Sequence, residues 1–447
     1  MSPIETDTSR ASTPDQIRDR YDVVVVGGGP AGATAATLLA QRGRDVLLLE
    51  RDVFPRFKIG ESLIPAVVGT LERLGMIEKM SASNFPKKYS VQFFSGSGKS
   101  SAPFYFSETE TEEQSQTWQV LRADFDTMMF DNAVEHGVDG LQGAAVRRVL
   151  FDSAEPETEA SARGVQVEMS DGSKREIRSR VVVDATGQRA MISRQLGLRT
   201  TDPRLRQASI FTHYRGAVRD EGIDEGATLI LQTRDKNSWF WFIPLPDDTA
   251  SVGVVGQIDY LIQGRQGDPQ KIFDEELALC PGLTPRLSEA EQLFPVRVLN
   301  EFSYMTRRPA GDGWVLAGDA FGFLDPMYST GVLLALKSGE FVGDTVADAL
   351  DADDVSGGRL GSFAPRLLEG MSAFRRLVYA FYDQEFSFGR FLKKFPHHRR
   401  DIVSILVGDV FDKDFEPLFG DLATMIDLPN EPYRVPMQSS ERATATV

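Results

Sequence analysis

The chain has 447 residues and a formal net charge of −16, with 41% hydrophobic and 26% charged residues. This length predicts two or three packed units, and the acidic balance disfavours nucleic-acid binding, because phosphate backbones repel it. Cys280 is the only cysteine, which excludes intrachain disulfides and cysteine-based metal or iron–sulfur sites and favours a cytoplasmic location. The histidines are scattered apart from the neighbours His397 and His398, so we expect no metal site.

Both ends of the chain are predicted to be unstructured. Residues 1–20 are polar and mixed in charge and lack the apolar core of a signal peptide, so we expect a disordered leader. Residues 435–447 are expected to form a flexible tail. The acidic segments near 107–113 and 153–160 lack apolar periodicity and are expected to be exposed loops. No window reaches eighteen uninterrupted apolar residues, which predicts that no helix spans a membrane.

The first strong pattern runs from Tyr21 to Glu50 and contains a strand DVVVV, a glycine turn, a helical stretch and a second strand DVLLLE. Strand, helix and strand of this length predict one parallel crossover unit. A further strand begins at Ser179 and is wholly apolar, as expected where both faces of a sheet are covered. Residues 165–180 alternate about the turn SDGSK, which predicts a hairpin. Aromatic-rich strands between 209 and 258 predict a second layer.

A glycine turn in this first unit predicts a dinucleotide site. The segment VVVVGGGPAG places Gly27, Gly29 and Gly32 in the G-x-G-x-x-G spacing, directly after a strand and at the start of a helix. The turn needs positive φ angles, the pyrophosphate needs close backbone approach, and the helix N-terminus offers N–H groups to its charge. Glu50 ends the second strand, where its carboxylate can accept hydrogen bonds from ribose hydroxyls.

Three later segments favour FAD over NAD. The segment VLAGDAFGFLDP, with Gly318 and Asp319, resembles the second FAD fingerprint of the glutathione-reductase-type flavoprotein monooxygenases, in which the aspartate contacts the ribityl chain. VLRADFD, with Arg122, and VVDATG, with Asp184 and Gly187, are also similar to segments of this family. No second G-x-G-x-x-G follows a strand, so reduced flavin would come from a separate flavin reductase, or NAD(P)H would bind transiently.

The stretch SWFWFIPLP resembles a signature of the flavin-dependent halogenases, a branch of this family that the chain resembles over residues 21–410. The signature W-x-W-x-I-P is formed by Trp239, Trp241, Ile243 and Pro244. The resemblance implies that these residues wall a reaction chamber, with Trp239, Trp241 and Ile243 on one strand face. Phe240 and Phe242 then take the opposite face. Spacing alone equally describes a strand buried on both faces.

A second halogenase feature is the segment DPMYSTGVLLA, which is similar to the family segment that passes the flavin ring and binds halide. Backbone N–H groups of a Ser-Thr-Gly turn leading into a helix suit a buried chloride, and the resemblance assigns this role to Thr330 and Gly331. Ser329 is also expected as the helix N-cap. Tyr328 stands where tryptophan-specific halogenases carry a glutamate, which favours a phenol or pyrrole over an indole and puts Tyr328 in the chamber wall.

The third halogenase feature is a lysine about thirty residues after a GE segment, here within KIGESLIP. In NFPKKYSVQFF the spacing selects Lys88, with Lys87 and Lys58 as competitors. The resemblance implies that the lysine hydrogen-bonds hypohalous acid or forms a haloamine with it, and so directs the halogen to a ring carbon.

Together these features imply an enzyme that uses FADH2, oxygen and halide, through a flavin hydroperoxide and hypohalous acid, to chlorinate or brominate an electron-rich aromatic. The substrate is free or bound to a carrier protein. The basic stretch RFLKKFPHHRRD at 390–401 either docks an acidic carrier or is a solvated helix end. An aromatic hydroxylase of the same fold and a non-catalytic flavin-binding protein remain alternatives.

The predicted fold is α/β and similar to the aromatic hydroxylases, with a Rossmann-like FAD-binding domain interleaved with a β-sheet substrate domain and followed by a C-terminal helical region. The FAD-binding domain is assigned to 21–84, 118–199 and 297–350, the substrate domain to 85–117 and 200–296, and the helical region to 351–434.

Overall fold

The computed structural model describes residues 12–108, 115–153, 160–265 and 267–428. The predicted C-terminal tail and most of the two predicted acidic loops lie outside these residues. The α/β fold with C-terminal helices is confirmed, because two large sheets are followed by a run of helices.

Residues 12–20, which are part of the predicted leader of residues 1–20, contact the rest of the chain. The backbone N–H of Ser12 donates a hydrogen bond of 2.8 Å to the carbonyl of Gly140. Ile17 is buried, and the Arg18 guanidinium pairs with Asp45. An apolar anchor and ion pairs of Arg18 and Asp19 hold this segment, and the polar composition alone gave no sign of them. Residues 1–11 lie outside the described residues.

The first sheet carries the crossover unit. Its central strand β1 (Arg20–Val26) pairs in parallel with β2 (Val46–Leu49) on one side and with β10 (Lys174–Asp184) on the other. All four residues of β2 are buried, as a sheet covered on both faces requires. The predicted hairpin is confirmed, since β9 (Ala162–Glu168) and β10 pair antiparallel. The strand path is β17 (Ala310–Gly311), β18 (Trp314–Leu316), β10 (Lys174–Asp184), β1 (Arg20–Val26), β2 (Val46–Leu49) and β7 (Asp139–Leu141), with β9 (Ala162–Glu168) and β8 (Ala145–Phe151) beyond β10.

The second sheet carries the aromatic strand. Its path is β19 (Gly322–Phe323), β16 (Arg297–Thr306), β11 (Arg199–Arg215), β14 (Thr249–Gln257), β13 (Ser238–Leu245), β12 (Thr228–Gln232), β4 (Ser90–Phe94) and β5 (Phe104–Tyr105), with β15 (Glu291–Gln292) beside β11. β16 and β19 pair here although residues 297–350 are assigned to the FAD-binding domain by sequence. The domain division stays a prediction.

Helices cover both sheets. α1 (Pro30–Gln41), α4 (Arg122–Glu135) and α7 (Thr330–Asp351) belong to the segments of the first sheet. A separate small ribbon pairs β3 (Lys87–Lys88) with β6 (Thr117–Trp118). The remaining helices are α2 (Val67–Arg73), α3 (Ile77–Ala82), α5 (Met191–Gln195), α6 (Pro269–Ala278), α8 (Gly357–Leu360), α9 (Ala364–Tyr382), α10 (Phe388–Lys394), α11 (Arg399–Val407) and α12 (Glu416–Ala423). None of the described helices has the length and apolarity needed to cross a membrane.

The two faces of β13 enter different cores. Trp239, Trp241 and Ile243 pack in the large core shared with the first sheet. Phe240 and Phe242 pack in a second core on the other side of the strand. This confirms the alternation predicted from the sequence, and it points one face of the strand towards the nucleotide-binding side of the molecule.

Candidate active site

One cavity of about 400 Å³ is lined by residues of both sheets. It joins the glycine turn that follows β1 to the aromatic face of β13, so the predicted cofactor site and the predicted chamber form a single space. Of the residues singled out in the sequence, the lining includes Gly27, Gly29, Glu50, Lys58, Arg122, Gly187, Trp239, Trp241, Ile243, Asp319, Ser329 and Gly331.

Glycine is required at the turn for steric reasons. Gly27 has a φ of 108°, and a Cβ there would lie 2.3 Å from the carbonyl oxygen of Ala185. A Cβ at Gly32 would lie 1.9 Å from the carbonyl oxygen of Gly27. Gly29 lines the cavity at the N-cap of α1, where the helix presents free N–H groups. The turn can therefore hold a pyrophosphate against the start of α1.

The acidic residues predicted to bind FAD lie in this cavity. The Glu50 carboxylate accepts hydrogen bonds from the N–H groups of Gly28 (2.8 Å) and Asp52 (2.9 Å), which fix its orientation. Asp319 follows β18, and burial raises the pKa of its carboxyl to about 6. None of the described residues donates a hydrogen bond to this carboxylate. An acceptor of this kind fits the hydroxyl groups of a ribityl chain, so the residues present suit FAD.

Arg122 is a fixed cation in the lining. Its guanidinium forms two hydrogen bonds with Asp126, 2.7 Å from Nε and 2.9 Å from Nη2. Its Nη1 donates to the carbonyl of Ile59 at 2.6 Å. Arg56 binds the same carboxylate at 2.7 Å, so two guanidinium groups stand beside the predicted cofactor site. Gly318 lies outside the lining, and its N–H donates to the Ser338 hydroxyl at 2.7 Å.

The aromatic wall is held by indole hydrogen bonds. Trp241 donates from Nε1 to the Ser251 hydroxyl at 3.1 Å, and Trp239 donates from Nε1 to the Tyr382 hydroxyl at 3.2 Å. Ile243 also faces the cavity. Pro244 is buried and pairs with Ala250 in the sheet, so it supports the strand from outside the lining.

The predicted halide turn lies at the start of α7. Ser329 is the N-cap, with a left-handed backbone (φ 56°), and its side chain makes no capping hydrogen bond. Gly331 lines the cavity, and a Cβ there would have no described heavy atom within 4 Å. Thr330 is buried beside it. The first turn of α7 therefore exposes backbone to the cavity at Gly331, where helix N–H groups attract anions.

Tyr328 lies behind the wall, outside the cavity lining where the sequence expectation put it. Its ring is buried against Phe381, with ring centroids 6.4 Å apart, and its hydroxyl donates to the carbonyl of Leu377 at 3.2 Å. Burial raises the pKa of the phenol well above its ordinary value. α9 supplies both contacts, and this long-range packing was not visible in the local motif.

Lys88 is the buried member of the adjacent lysine pair. Its side chain is enclosed, with the residue 1% exposed, whereas Lys87 is exposed. Lys88 Nζ donates to the Ser62 hydroxyl at 2.8 Å and to the Leu63 carbonyl at 3.0 Å. Burial lowers the pKa of Lys88 to about 7. Lys88 itself is outside the cavity lining, but its partner Ser62 is part of it.

The polar side chains of the lining that were not selected from the sequence include Glu61, Asp325 and Thr228. Glu61 Oε1 lies 2.8 Å from His213 Nε2, and both residues are buried. Asp325 is buried, which raises the pKa of its carboxyl to about 7. Thr228 contacts Ser62 across the cavity edge at 2.8 Å. Glu61 lies in the segment KIGESLIP and Asp325 in DPMYSTGVLLA, whereas Thr228 lies in no motif identified from the sequence.

The structure also brings Asp421 close to the neighbouring histidines His397 and His398. Ring nitrogens of His397 and His398 and a carboxylate oxygen of Asp421 all lie within 4.8 Å of one another, contrary to the expectation of no such cluster. His398 Nε2 is 2.9 Å from Asp421, and its Nδ1 is 2.6 Å from Asp401. Both ring nitrogens of His398 thus have a carboxylate partner, and the absence of a metal stays a prediction.

Comparison with known proteins identifies the family of the chain. Residues 20–352 match the FAD binding domain family. The 1H-pyrrole-2-carbonyl-[peptidyl-carrier protein] brominase of Pseudoalteromonas luteoviolacea is 34% identical over 336 residues, which is 75% of this chain and 79% of the relative. The 1H-pyrrole-2-carbonyl-[peptidyl-carrier protein] chlorinase of Pseudomonas fluorescens is 30% identical over 412 residues, covering 88% and 90%.

A solved structure shows the same relationship. The flavin-dependent brominase Bmp2 superposes with a TM-score of 0.79 at 30% identity, covering 91% of this chain and 98% of that one. The chain therefore belongs to the FAD binding domain family and, within it, to the flavin-dependent halogenases, so that it is an oxidoreductase that uses FAD.

Proposed function

We propose that the protein halogenates a phenol or pyrrole ring and that Lys88 directs the halogen. The observation that carries this proposal is the position of Lys88, buried one hydrogen bond away from the cavity that also contains the FAD site and the two tryptophans. Reduced FAD and oxygen would supply the oxidising power that converts halide to hypohalous acid. A separate flavin reductase would supply the reduced FAD.

Each group of lining residues has a distinct role in this proposal. Gly27, Gly29, Glu50, Arg122 and Asp319 would hold FAD. The backbone N–H groups of Thr330 and Gly331 would bind halide, because the helix dipole favours anions at the first turn of α7. Trp239, Trp241 and Ile243 would exclude water and confine a small neutral oxidant, which limits its escape and its hydrolysis.

The electrostatics of Lys88 support its proposed role. With a pKa of about 7, the side chain is divided between ammonium and amine near neutral pH. The ammonium is a hydrogen-bond donor and the amine is a nucleophile, so both forms that the halogenase resemblance implies are present near neutral pH. Lys87 is exposed, and Lys58 stands among the cations Arg51 and Arg56 at the FAD side of the cavity, so neither matches this environment.

The presence of tyrosine at position 328 favours an electron-rich ring as the substrate. A glutamate at this point could stabilise the positive charge that develops on an unactivated indole. Tyr328 offers no carboxylate, and its hydroxyl is bound to the backbone of α9. The two pyrrole-2-carbonyl relatives favour the same class of substrate.

We further propose that the ring arrives on an acidic carrier protein, as the names of the same two relatives indicate for them. Within the basic stretch, Arg399 binds Glu108 at 2.7 and 2.8 Å and so ties α11 to the turn at 106–108. Lys393, Lys394 and Arg400 are exposed and would face the carrier. The cytoplasmic location stays a prediction that rests on the single cysteine.

The test combines the protein with FAD, a flavin reductase, NADH, oxygen and either bromide or chloride. Phenols, free pyrroles and a pyrrolyl carrier protein are offered in parallel, and products are read by mass. We expect a mass increase and an isotope pattern that require both halide and reductase. A product that gains only oxygen would establish the hydroxylase alternative, and FAD binding without any oxygen-dependent product would establish the non-catalytic one.

A further inference from the structure

We propose that Ser62 is a catalytic residue and that its hydroxyl is the group through which Lys88 acts in the chamber. This inference rests on the proposed function of Lys88. Ser62 lies in the cavity lining, and Lys88 lies behind it. The lysine is enclosed by the Leu63 carbonyl at 3.0 Å and the Phe106 ring, whose centroid is 5.5 Å from Nζ.

Four side chains form one hydrogen-bonded chain at this point. Ser62 Oγ lies 2.8 Å from Lys88 Nζ and 2.8 Å from Thr228 Oγ1. Gln119 Nε2 lies 2.9 Å from Thr228 Oγ1 and 2.8 Å from the carbonyl of Gly226. All four side chains are buried, so bulk water cannot supply their partners, and of their polar atoms Gln119 Oε1 has no hydrogen-bond partner among the described residues.

The atoms present fix the direction of every hydrogen bond in this chain except the one between Ser62 and Thr228. The Gly226 carbonyl only accepts, so the Gln119 amide nitrogen faces it and also donates to Thr228. Either hydroxyl can donate in the Ser62–Thr228 pair, and in the arrangement we propose Thr228 gives its proton to Ser62. The Lys88 ammonium only donates, so Ser62 accepts a second hydrogen bond from it.

In this arrangement the hydroxyl proton of Ser62 is the one proton without a partner. The Ser62 oxygen accepts from Lys88 and from Thr228, so its own proton is donated to neither of them. The residue borders the cavity, so the proton points to whatever occupies the chamber. A hydroxyl that accepts from an ammonium and a second hydroxyl is polarised, which strengthens it as a donor.

The Ser62 hydroxyl can pass protons during the halogen transfer in a scheme that accounts for every atom. A ring carbon attacks the halogen of hypohalous acid, the oxygen–halogen bond breaks, and its electron pair stays on oxygen. Ser62 gives its proton to that oxygen, which forms water, and takes a proton from Lys88. The ring then loses its own proton, which returns through Ser62 to the Lys88 amine. The sum is ring C–H plus hypohalous acid to ring C–halogen plus water, without another oxidant.

The experiment compares Ser62→Ala, Ser62→Thr and Lys88→Ala in the complete system. We expect Ser62→Ala to lower halogenated product at least 100-fold, while hypohalous acid caught by a diffusible halogen acceptor stays within twofold of wild type. Ser62→Thr keeps a hydroxyl and should recover at least a tenth of the activity. Ser62→Ala combined with Lys88→Ala should be no worse than Lys88→Ala alone, because the two groups act as one unit.

A second readout uses the protein without cofactor or substrate. The Lys88 pKa is followed by NMR of isotope-labelled lysine, with Lys88→Ala to assign the signal. Loss of the Ser62 acceptor should lower this pKa further. Should Ser62→Ala fail to fold, Ser62→Cys carries the same comparison, because a thiol of similar size is a weak donor and acceptor.

The outcomes separate the two proposals. Ser62→Ala that keeps more than half of wild-type halogenation overturns the role of Ser62 and leaves Lys88 intact. If Ser62→Ala loses hypohalous acid formation as well as halogenated product, the role of Ser62 is also overturned, because the defect then lies in a step before ring halogenation. Lys88→Ala with full activity overturns the proposed role of Lys88, whatever Ser62 does. Wild-type protein that never forms a halogenated product overturns the function itself.

Discussion

The indole Nε1 of Trp239 donates a hydrogen bond of 3.2 Å to the hydroxyl of Tyr382, which joins the chamber wall on β13 to the last residue of α9. The same hydroxyl lies 3.2 Å from both carboxylate oxygens of Asp325, at the start of the predicted halide segment. One phenol therefore connects the wall, the halide segment and the C-terminal helices.

Tyr382→Phe should loosen this junction. It leaves a buried indole N–H and a buried carboxyl without their shared partner, at a cost of about 1–3 kcal/mol in the free energy of unfolding. We also expect more hypohalous acid to escape into solution per product formed. Tyr105→Phe is the control, because it also removes a hydroxyl bound to a carboxylate, that of Asp224, away from the cavity. Equal escape in both variants would contradict the prediction.

Lys88→Ala should stop halogenation while FADH2 oxidation continues, with product falling at least 100-fold. Lys87→Ala is the matched control, since it removes the adjacent, exposed lysine. If the ammonium is the working form, wild-type halogenation should fall as the pH rises through about 7, the pKa to which burial lowers Lys88. Reductase turnover is measured separately at each pH. A flat profile between pH 6 and 9 would argue against the ammonium as the working form.

Asp319→Asn should stabilise the FAD-free protein near pH 8 and weaken FAD binding. Burial raises the pKa of Asp319 from 3.8 to about 6, so the stability linked to its protonated form is present below pH 4 and lost as the pH rises through 6. The gain should approach about 3 kcal/mol at pH 8, at about 1.4 kcal/mol per pKa unit, and vanish below pH 4. Thermal unfolding of Asp319→Asn measures this gain in the free energy of unfolding, and Asp15→Asn, at an exposed position, is the control. A gain that is the same at pH 4 and pH 8 would contradict this assignment.

Gly27→Ala should abolish FAD binding, with at least a 100-fold rise in Kd. The new methyl group would meet the Ala185 carbonyl oxygen at 2.3 Å on a backbone with positive φ. Gly69→Ala is the control, because it places the methyl in open space on α2 and should leave Kd unchanged. Flavin fluorescence quenching measures both. Tight binding by Gly27→Ala would show that the pyrophosphate lies elsewhere.

Lys393→Glu combined with Arg400→Glu should raise KM for a carrier-bound pyrrole about tenfold and leave kcat and the KM of a free pyrrole unchanged. The reversed charges repel an acidic carrier without touching the cavity. Lys271→Glu on α6, a surface lysine with 71% side-chain exposure, controls for reversing a surface charge away from this face. The effect should shrink as salt is added. Equal losses on free and carrier-bound substrate would dismiss docking at this face.

Several parts of the site follow from short stretches of sequence. The glycine spacing at 27–32 is dictated by steric limits within the turn, and the two faces of β13 follow from the period of two along a strand. The chain order of the FAD segments was also sufficient to place Glu50, Arg122 and Asp319 in one cavity. These features depend on neighbouring residues or on the order of elements along the chain.

The sequence by itself thus determined the dinucleotide turn, the alternation of the aromatic strand and the α/β class, because each is encoded by local spacing. Only the tertiary structure decided that Lys88 is buried while Lys87 is exposed, that Ser62 stands between Lys88 and the cavity, and that Tyr328 faces α9. The physical reason is that burial, hydrogen-bond partners and pKa values are set by segments far apart in the chain, such as Trp239 and Tyr382. No local sequence pattern predicts which of these distant segments contact each other.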